Sequence, residues 1–387
     1  MNTKSFFNQK KDIYISIINY LENGLSNKNE ENNEEENKNE VVFQNKDEFR
    51  EFLMMLSKIS KNHHRDSFFT NRIDAIISHF EDQIKQTFTN LELFKIFKKN
   101  FQIILLLSKK QILFFDDSIY KYTQTKINKS LYHFFYPEIK SFLSETKRKQ
   151  IENEIVSYDS DAFLHFDEKR KIGENDSHIC QLIRSDSIDD FIIYVNRNSI
   201  NYSSTINTSI FETNPFLLKN NKTSLIEYAA FYGSIQIFQY LKFSKAELSE
   251  RLWLYAIHGK NGELIHLLEE NRIFPEYKSY YKCLQESIKC HHNDIVTYIN
   301  DKYINQTGKI TNFEDNIFAY SFHYHNYKFM PNDLNEHVFI SYYLCQYDYM
   351  SIVNFMLNNK SFDIKNKIIF NQFIPIKFLI LFLMKFL

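Results

Sequence analysis

Apolar residues along this chain return every three or four positions, the spacing that gathers them on one face of an α-helix. Ile13, Ile17, Ile18 and Leu21 share such a face, Asp12 stands where a helix cap would, and Gly24 follows as a stop. A first helix is therefore expected within residues 1–25. Residues 26–40, SNKNEENNEEENKNE, contain nothing apolar and read as a disordered acidic Asn-rich linker. From 41 to about 150 the pattern predicts a helical domain. Phe69, Ile73, Ile76, Ile77, Phe80, Ile84 and Phe88 form one continuous stripe, expected as one helix. Segments 91–97 and 101–107 follow, then a stretch near 131–142 with Pro137 close to a helix start. Polarity rises between 145 and 174, where Asp159, Asp161, Asp167 and Glu168 cluster, and the boundary between two halves is expected there. Period-two alternation is scarce, so the expected fold class is all-α.

The second half repeats itself. Residues 224–243, SLIEYAAFYGSIQIFQYLKF, pair a first helix carrying the small Ala229 and Ala230 with a second carrying Ile237, Phe238 and Leu241. Gly233 between them suits a left-handed turn residue. The apolar triplet returns as Leu264, Ile265 and Leu268, an offset of 27, and as Ile295, Val296 and Ile299, a further 31. It returns again as Ile352, Val353 and Met356, 57 later, which leaves room for one degraded unit around 318–330. Upstream, residues 178–195 fit the same hairpin, with Asp186 in the place of Gly233. One such hairpin cannot bury its own apolar face, whereas a stack can.

These residues resemble the ankyrin signature, a T-P-L-H-x-A-A-x-x-G helix followed by an I-V-x-x-L helix. Ser224 stands at the Thr position, Glu227 at the His position, and Ala229, Ala230 and Gly233 match; the Pro is absent. Intervals of 27 and 31 fall short of the roughly 33 residues of an ankyrin unit without matching it. Irregular ankyrin-like repeats over 178–366 are expected, with a generic α-solenoid as the other reading. With NHHRDSFFTNRI (62–73), FTNLELFKIFKKN (88–100), FFYPEIKSF (134–142) and YSFHYHNYKFMPNDL (320–334), the resemblance widens. It extends to the lineage-expanded ankyrin-repeat proteins of parasitic protists, whose N-terminal region is a domain of unknown function. That likeness runs from about residue 9 to about 366 and implies a binding scaffold without a set ligand or catalytic residue. Relatives of that kind continue into more regular repeats, whereas this chain passes into the apolar segment 367–387, which departs from the pattern as a truncated or frame-shifted end would.

Composition narrows the function classes. With 47 basic and 48 acidic residues the formal charge is −1, so no global field recruits nucleic acid or an anionic membrane. Six Gly and five Pro are too few for a turn-dense β-sandwich. Four Cys in 387 residues make no disulfide framework and fit a reducing, cytoplasmic setting. The 38 Phe and 25 Tyr supply a large aromatic core despite a mean hydropathy of −0.42. They also fit an A/T-rich coding bias. No signal-peptide core opens the chain.

No catalytic string and no cofactor motif occurs, and the chain is read as a non-enzyme. Cys283, Cys290, His291 and His292 form C-x6-C-H-H, wider than the usual x2–4 pairing of zinc ligands. His63-His64 and His323-x-His325 lack the i, i+4 spacing of a chelating pair. No metal is expected at any of them. The function expected is non-catalytic protein–protein interaction with an unidentified protein partner. Recognition would fall on loop positions Asn220, Asn221, Lys245, Arg272, Tyr277 and Asn305, while Ala229, Ala230, Gly233, Leu241, Trp253, Leu264 and Leu268 form the framework. The alternative is a membrane-tethered adaptor using 368–387. A degraded gene product, or an enzyme whose groups converge only in three dimensions, are further classes.

Overall fold

Helical periodicity becomes helix over most of the described residues. The structure, a computed structural model, describes residues 2–23, 43, 45–61, 67–124, 129–158, 160–220, 222–304, 313–334 and 340–359. Among these residues there is no strand, and one isolated bridge pairs Thr205 with Ser224. The chain is all-α. The early helices are α1 (Thr3–Asn23), α2 (Lys46–Ser60), α3 (Ser67–His79), α4 (Glu81–Thr87), α5 (Asn90–Phe97), α6 (Phe101–Lys109) and α7 (Asp117–Gln124). Next come α8 (Lys129–Phe134), α9 (Tyr136–Ile139), α10 (Glu145–Tyr158), α11 (Phe166–Ile172), α12 (His178–Arg184), α13 (Ile188–Arg197) and α14 (Pro215–Lys219). The hairpin helices are α15 (Leu225–Tyr232), α16 (Ile235–Phe243), α17 (Leu252–His258), α18 (Gly262–Glu270), α19 (Tyr281–Lys289) and α20 (Asn293–Ile299). The last are α21 (Phe313–Tyr324), α22 (Ile340–Gln346) and α23 (Met350–Asn358).

Two expectations about helix ends are corrected. Asp12 caps nothing: α1 begins at Thr3, and its buried stripe is Phe7, Lys11, Tyr14, Ile18 and Leu21, with Ile13 38% exposed. Lys11 keeps its place in that stripe because its Nζ donates to Met330 O at 2.7 Å and Asn332 Oδ1 at 2.8 Å. The stripe from Phe69 to Phe88 is two helices, because Phe80 leaves helical geometry at φ −99° and ψ 12°. Elsewhere the local chemistry is direct. Thr89 and Glu92 close a capping box on α5, and Pro137 sits in the first turn of α9.

Two compact units result, one from Met1–His79 with Thr307–Leu387, the other from Phe80–Gln306. This differs from a boundary at 145–174, a stretch that forms α10 and α11 inside the second unit. The linker at 26–40, His63-His64, Asn221, Asn305 and the segment 367–387 lie outside the described residues. No helix among the described residues is long and apolar enough to cross a membrane.

In the first unit α1 and α2 both pack on α23, with Phe6 stacked on Phe355 at 4.0 Å. Glu51 of α2 is buried there. Its Oε1 accepts from Ser351 N and its Oε2 from Ser351 Oγ, each at 2.6 Å, and Lys10 Nζ lies 3.8 Å away. Burial outweighs Lys10 and the hydrogen bonds and pushes the carboxyl from 4.5 up to about 7. Folded Glu51 therefore holds a proton that the unfolded chain releases between pH 4.5 and 7, so stability falls as pH rises through that window. The contribution is on the order of 3 kcal/mol. Urea midpoints measured from pH 4.5 to 8 should decline, and Glu51→Gln should flatten part of the slope; an unchanged slope would contradict the assignment.

The second unit opens with α4–α11. Arg170 organises it: the guanidinium is buried, pairs with Glu138 at 2.7 Å and with Asp167, and donates to Phe134 O at 3.0 Å. It also lies over the Phe134 and Phe166 rings. Hairpins α12/α13, α15/α16, α17/α18 and α19/α20 follow. The triplets Ile237, Phe238, Leu241; Leu264, Ile265, Leu268; and Ile295, Val296, Ile299 are all buried. First helices pack in series, α12 on α15, α15 on α17, and α17 on α19.

Candidate binding surface

Every hairpin turns in the same way. One or two residues past the end of each first helix the backbone takes positive φ, at Asp186 (49°), Gly233 (69°), Lys260 (51°) and His291 (58°). Each turn closes with the same pair of backbone bonds, as from Gly233 N to Ala230 O and Ser234 N to Ala229 O. In the α17/α18 hairpin the left-handed residue is Lys260, while Gly259 has φ −69°. Gly259 is small for another reason, since a Cβ there would meet Ala230 O and Phe231 O at 2.8 Å.

Polar links join one hairpin to the next. Ser234 Oγ donates to Ile183 O at 2.5 Å, and His292 Nδ1 donates to Ile257 O at 2.8 Å. Ser234 and His292 each follow the left-handed residue of their turn, and Ile183 and Ile257 each precede that of the preceding hairpin by three. Asp186 adds a bond across the same step, its carboxylate accepting from Gln236 N and Ile237 N.

The far ends of the second helices carry a second recurring turn. Ser199 (φ 49°), Lys245 (61°) and Arg272 (54°) occupy equivalent positions after α13, α16 and α18. Lys245 N bonds Lys242 O and Ala246 N bonds Leu241 O; Arg272 and Ile273 repeat this with Glu269 and Leu268. The residue after the turn reaches back toward the core, and the turn residue itself stays exposed. Two expected contact residues, Lys245 and Arg272, thus stand at one register of successive hairpins.

Tyr277, also expected, is 86% exposed at φ 56°. Asn220 is half-buried and donates to Phe216 O at 2.8 Å, which closes α14. Sequence reasoning missed Phe243, which is 88% exposed beside Lys245, and Phe274, over whose ring Lys278 lies at 5.2 Å. Phe243 ends an apolar helix and reads as core; only its place past the last buried turn distinguishes it.

Beneath this face Glu269 is a fixed anchor. It accepts from Tyr298 at 2.7 Å, Lys302 at 2.8 Å and Tyr303. Burial would raise its carboxyl, but hydrogen bonds from Lys302, Tyr303, Tyr298 and His266 outweigh that and hold it at about 2. The anchor ties α18 to the π-helical turn Asn300–Ile304, and Tyr303 stacks on Tyr280 at 3.8 Å.

The displaced titratable groups near α12 sit in confined surroundings. Burial pushes Glu212 up to about 7 against the amides of Asn214 and Asn175. The cavity it lines is about 20 Å³, room for one water and far below a ligand pocket. Burial likewise pushes the thiols of Cys180 to about 11 and of Cys283 and Cys345 to about 12, values of inert structural cysteines. The C-x6-C-H-H residues part company: Cys283 is buried on α19, Cys290 follows the end of that helix, His291 is the left-handed turn residue, and His292 makes the link to Ile257. Of the other pair, His323 is exposed and His325 buried.

Protein-family models, curated proteins and solved structures offer no match to this chain.

Proposed function

We propose that the chain is a non-catalytic protein–protein interaction scaffold whose α12–α20 hairpins form an ankyrin-like stack. One observation carries this reading: successive hairpins share the same left-handed turn at the same register, with first helices packed in series. The equivalent links from Ser234 and His292 support it, because they lock neighbouring hairpins at one offset. A stack of this kind spends its apolar surface between repeats and leaves the turn tips to vary. Phe243, Lys245, Arg272 and Tyr277 supply an aromatic and cationic set, the residue types that anchor protein interfaces.

Proximity labelling with the full chain tests it. The set of proteins labelled by the wild type should fall at least about tenfold with Phe243→Glu, Lys245→Glu and Arg272→Glu combined. The circular dichroism spectrum should remain unchanged. Equal labelling by a folded variant would remove these tips as the contact surface.

A further inference from the structure

His258 is the last residue of α17, and α17 packs against α19. Glu286 lies in the last turns of α19 and Cys290 follows one turn later, so both side chains share a helix face. The three meet inside the second unit. His258 Nε2 is 3.7 Å from Glu286 Oε1, and Cys290 Sγ is 3.7 Å from the same oxygen. All three ligand atoms fall within 4.8 Å of one another. We propose that His258, Glu286 and Cys290 form a zinc site that pins the α17/α18 hairpin to α19.

Three physical features support the assignment. Separation comes first. A tetrahedral ion held at about 2.0–2.3 Å from each ligand sets its ligand atoms roughly 3.3–3.8 Å apart. The 3.7 Å from imidazole to carboxylate suits an ion between them and exceeds a direct hydrogen bond. Donor chemistry comes second, since one nitrogen, one oxygen and one sulfur suit the borderline-soft zinc ion.

Charge comes third. A thiolate, a carboxylate and a neutral imidazole around Zn²⁺ sum to zero, which the apolar surroundings favour. Those surroundings are close: His258 and Cys290 are fully buried, and the Phe216 and Phe231 rings each lie 4.8 Å from the His258 ring. Lys289 now supplies the counter-charge, with Nζ 2.8 Å from Glu286 Oε1. Its side chain is 18% exposed and Glu286 12%, so the lysine turns to water as the ion enters by the same side. On loading, the Cys290 S–H bond breaks, its proton passes to water, and a sulfur–zinc bond forms as the ion sheds aqua ligands. Water completes the fourth position.

The test uses the full chain stripped of metal by chelator. Calorimetric titration with Zn²⁺ should show one ion per chain, with affinity that rises with pH because the thiol must lose its proton. Cobalt in place of zinc should give the near-ultraviolet thiolate-to-metal band without any mutation. Cys290→Ser, nearly isosteric, should abolish that band and weaken zinc by more than the ~10–100-fold that loss of an outer-shell partner costs. Cys283→Ser should change neither. Lys289→Met should tighten binding by removing the competing cation. Absence of stoichiometric zinc, or a cobalt band that survives Cys290→Ser, overturns the site.

Discussion

Trp253→Ala lowers the unfolding free energy by about 3–5 kcal/mol, the cost of emptying a large aromatic site in a packed core. Trp253 is the chain's single tryptophan and is fully buried in α17. Its Nε1 donates to Ile273 O at 2.7 Å, on the connection that leads from α18 to α19. The Tyr280 and Tyr303 rings meet it edge-on at 5.1 and 5.9 Å. Removing the indole therefore opens a void and strips a hydrogen bond from the turn beyond Arg272, and the stacked tyrosines lose their support. Chemical denaturation followed by circular dichroism measures the effect, since the variant has no indole fluorescence. A loss below about 1 kcal/mol, no larger than a surface change, would mean that Trp253 is not at the centre of this core.

Gly259→Val is the second large effect, and it is steric. The backbone there is ordinary helix, so no conformational strain is involved. The Cβ position lies 2.8 Å from two carbonyl oxygens of α15, and helix backbone cannot swing aside as a side chain can. The substitution must push α17 off α15, at about 3 kcal/mol or more. Gly233→Val should cost less despite its positive φ, because the atoms in the way belong to the Asn261 side chain and not to a helix backbone. Gly262, with nothing within 4 Å of its Cβ position, should accept alanine at no cost. Thermal melts of the three variants give the order 259, 233, 262; an inverted order would remove the close α15–α17 approach as the reason for Gly259.

Much of the fold was legible because it is written locally. Ala229, Ala230 and Gly233 announce a tight hairpin, and Thr89 with Glu92 announces the start of α5. The apolar triplets located α16, α18, α20 and α23 because each needs only five consecutive positions. What stayed hidden depends on distant partners. Lys11 lies in the buried stripe of α1 because Met330 and Asn332 receive its ammonium, and the buried Glu51 depends on Ser351, 300 residues away. For the same reason the division into units could not be read from a rise in polarity. At the candidate surface, Lys245, Arg272 and Tyr277 were readable as loop residues. Phe243 was not, because an apolar residue at a helix end gives no sign of which side of the last turn it takes. His258 escaped notice beside Cys290 because the two belong to different hairpins and only the packing of α17 on α19 joins them.

Because the first unit takes its helices from both flanks of the second, the order of synthesis on the ribosome matters. Phe80–Gln306 emerges as one uninterrupted stretch and can fold while translation continues. Helices α1 and α2 are made before α23, the strip they pack against, and must wait for it over more than two hundred residues. Over that interval Phe6 lacks Phe355, the ring it stacks on, so α1 and α2 stay open to chaperones and to premature aggregation until α23 is made.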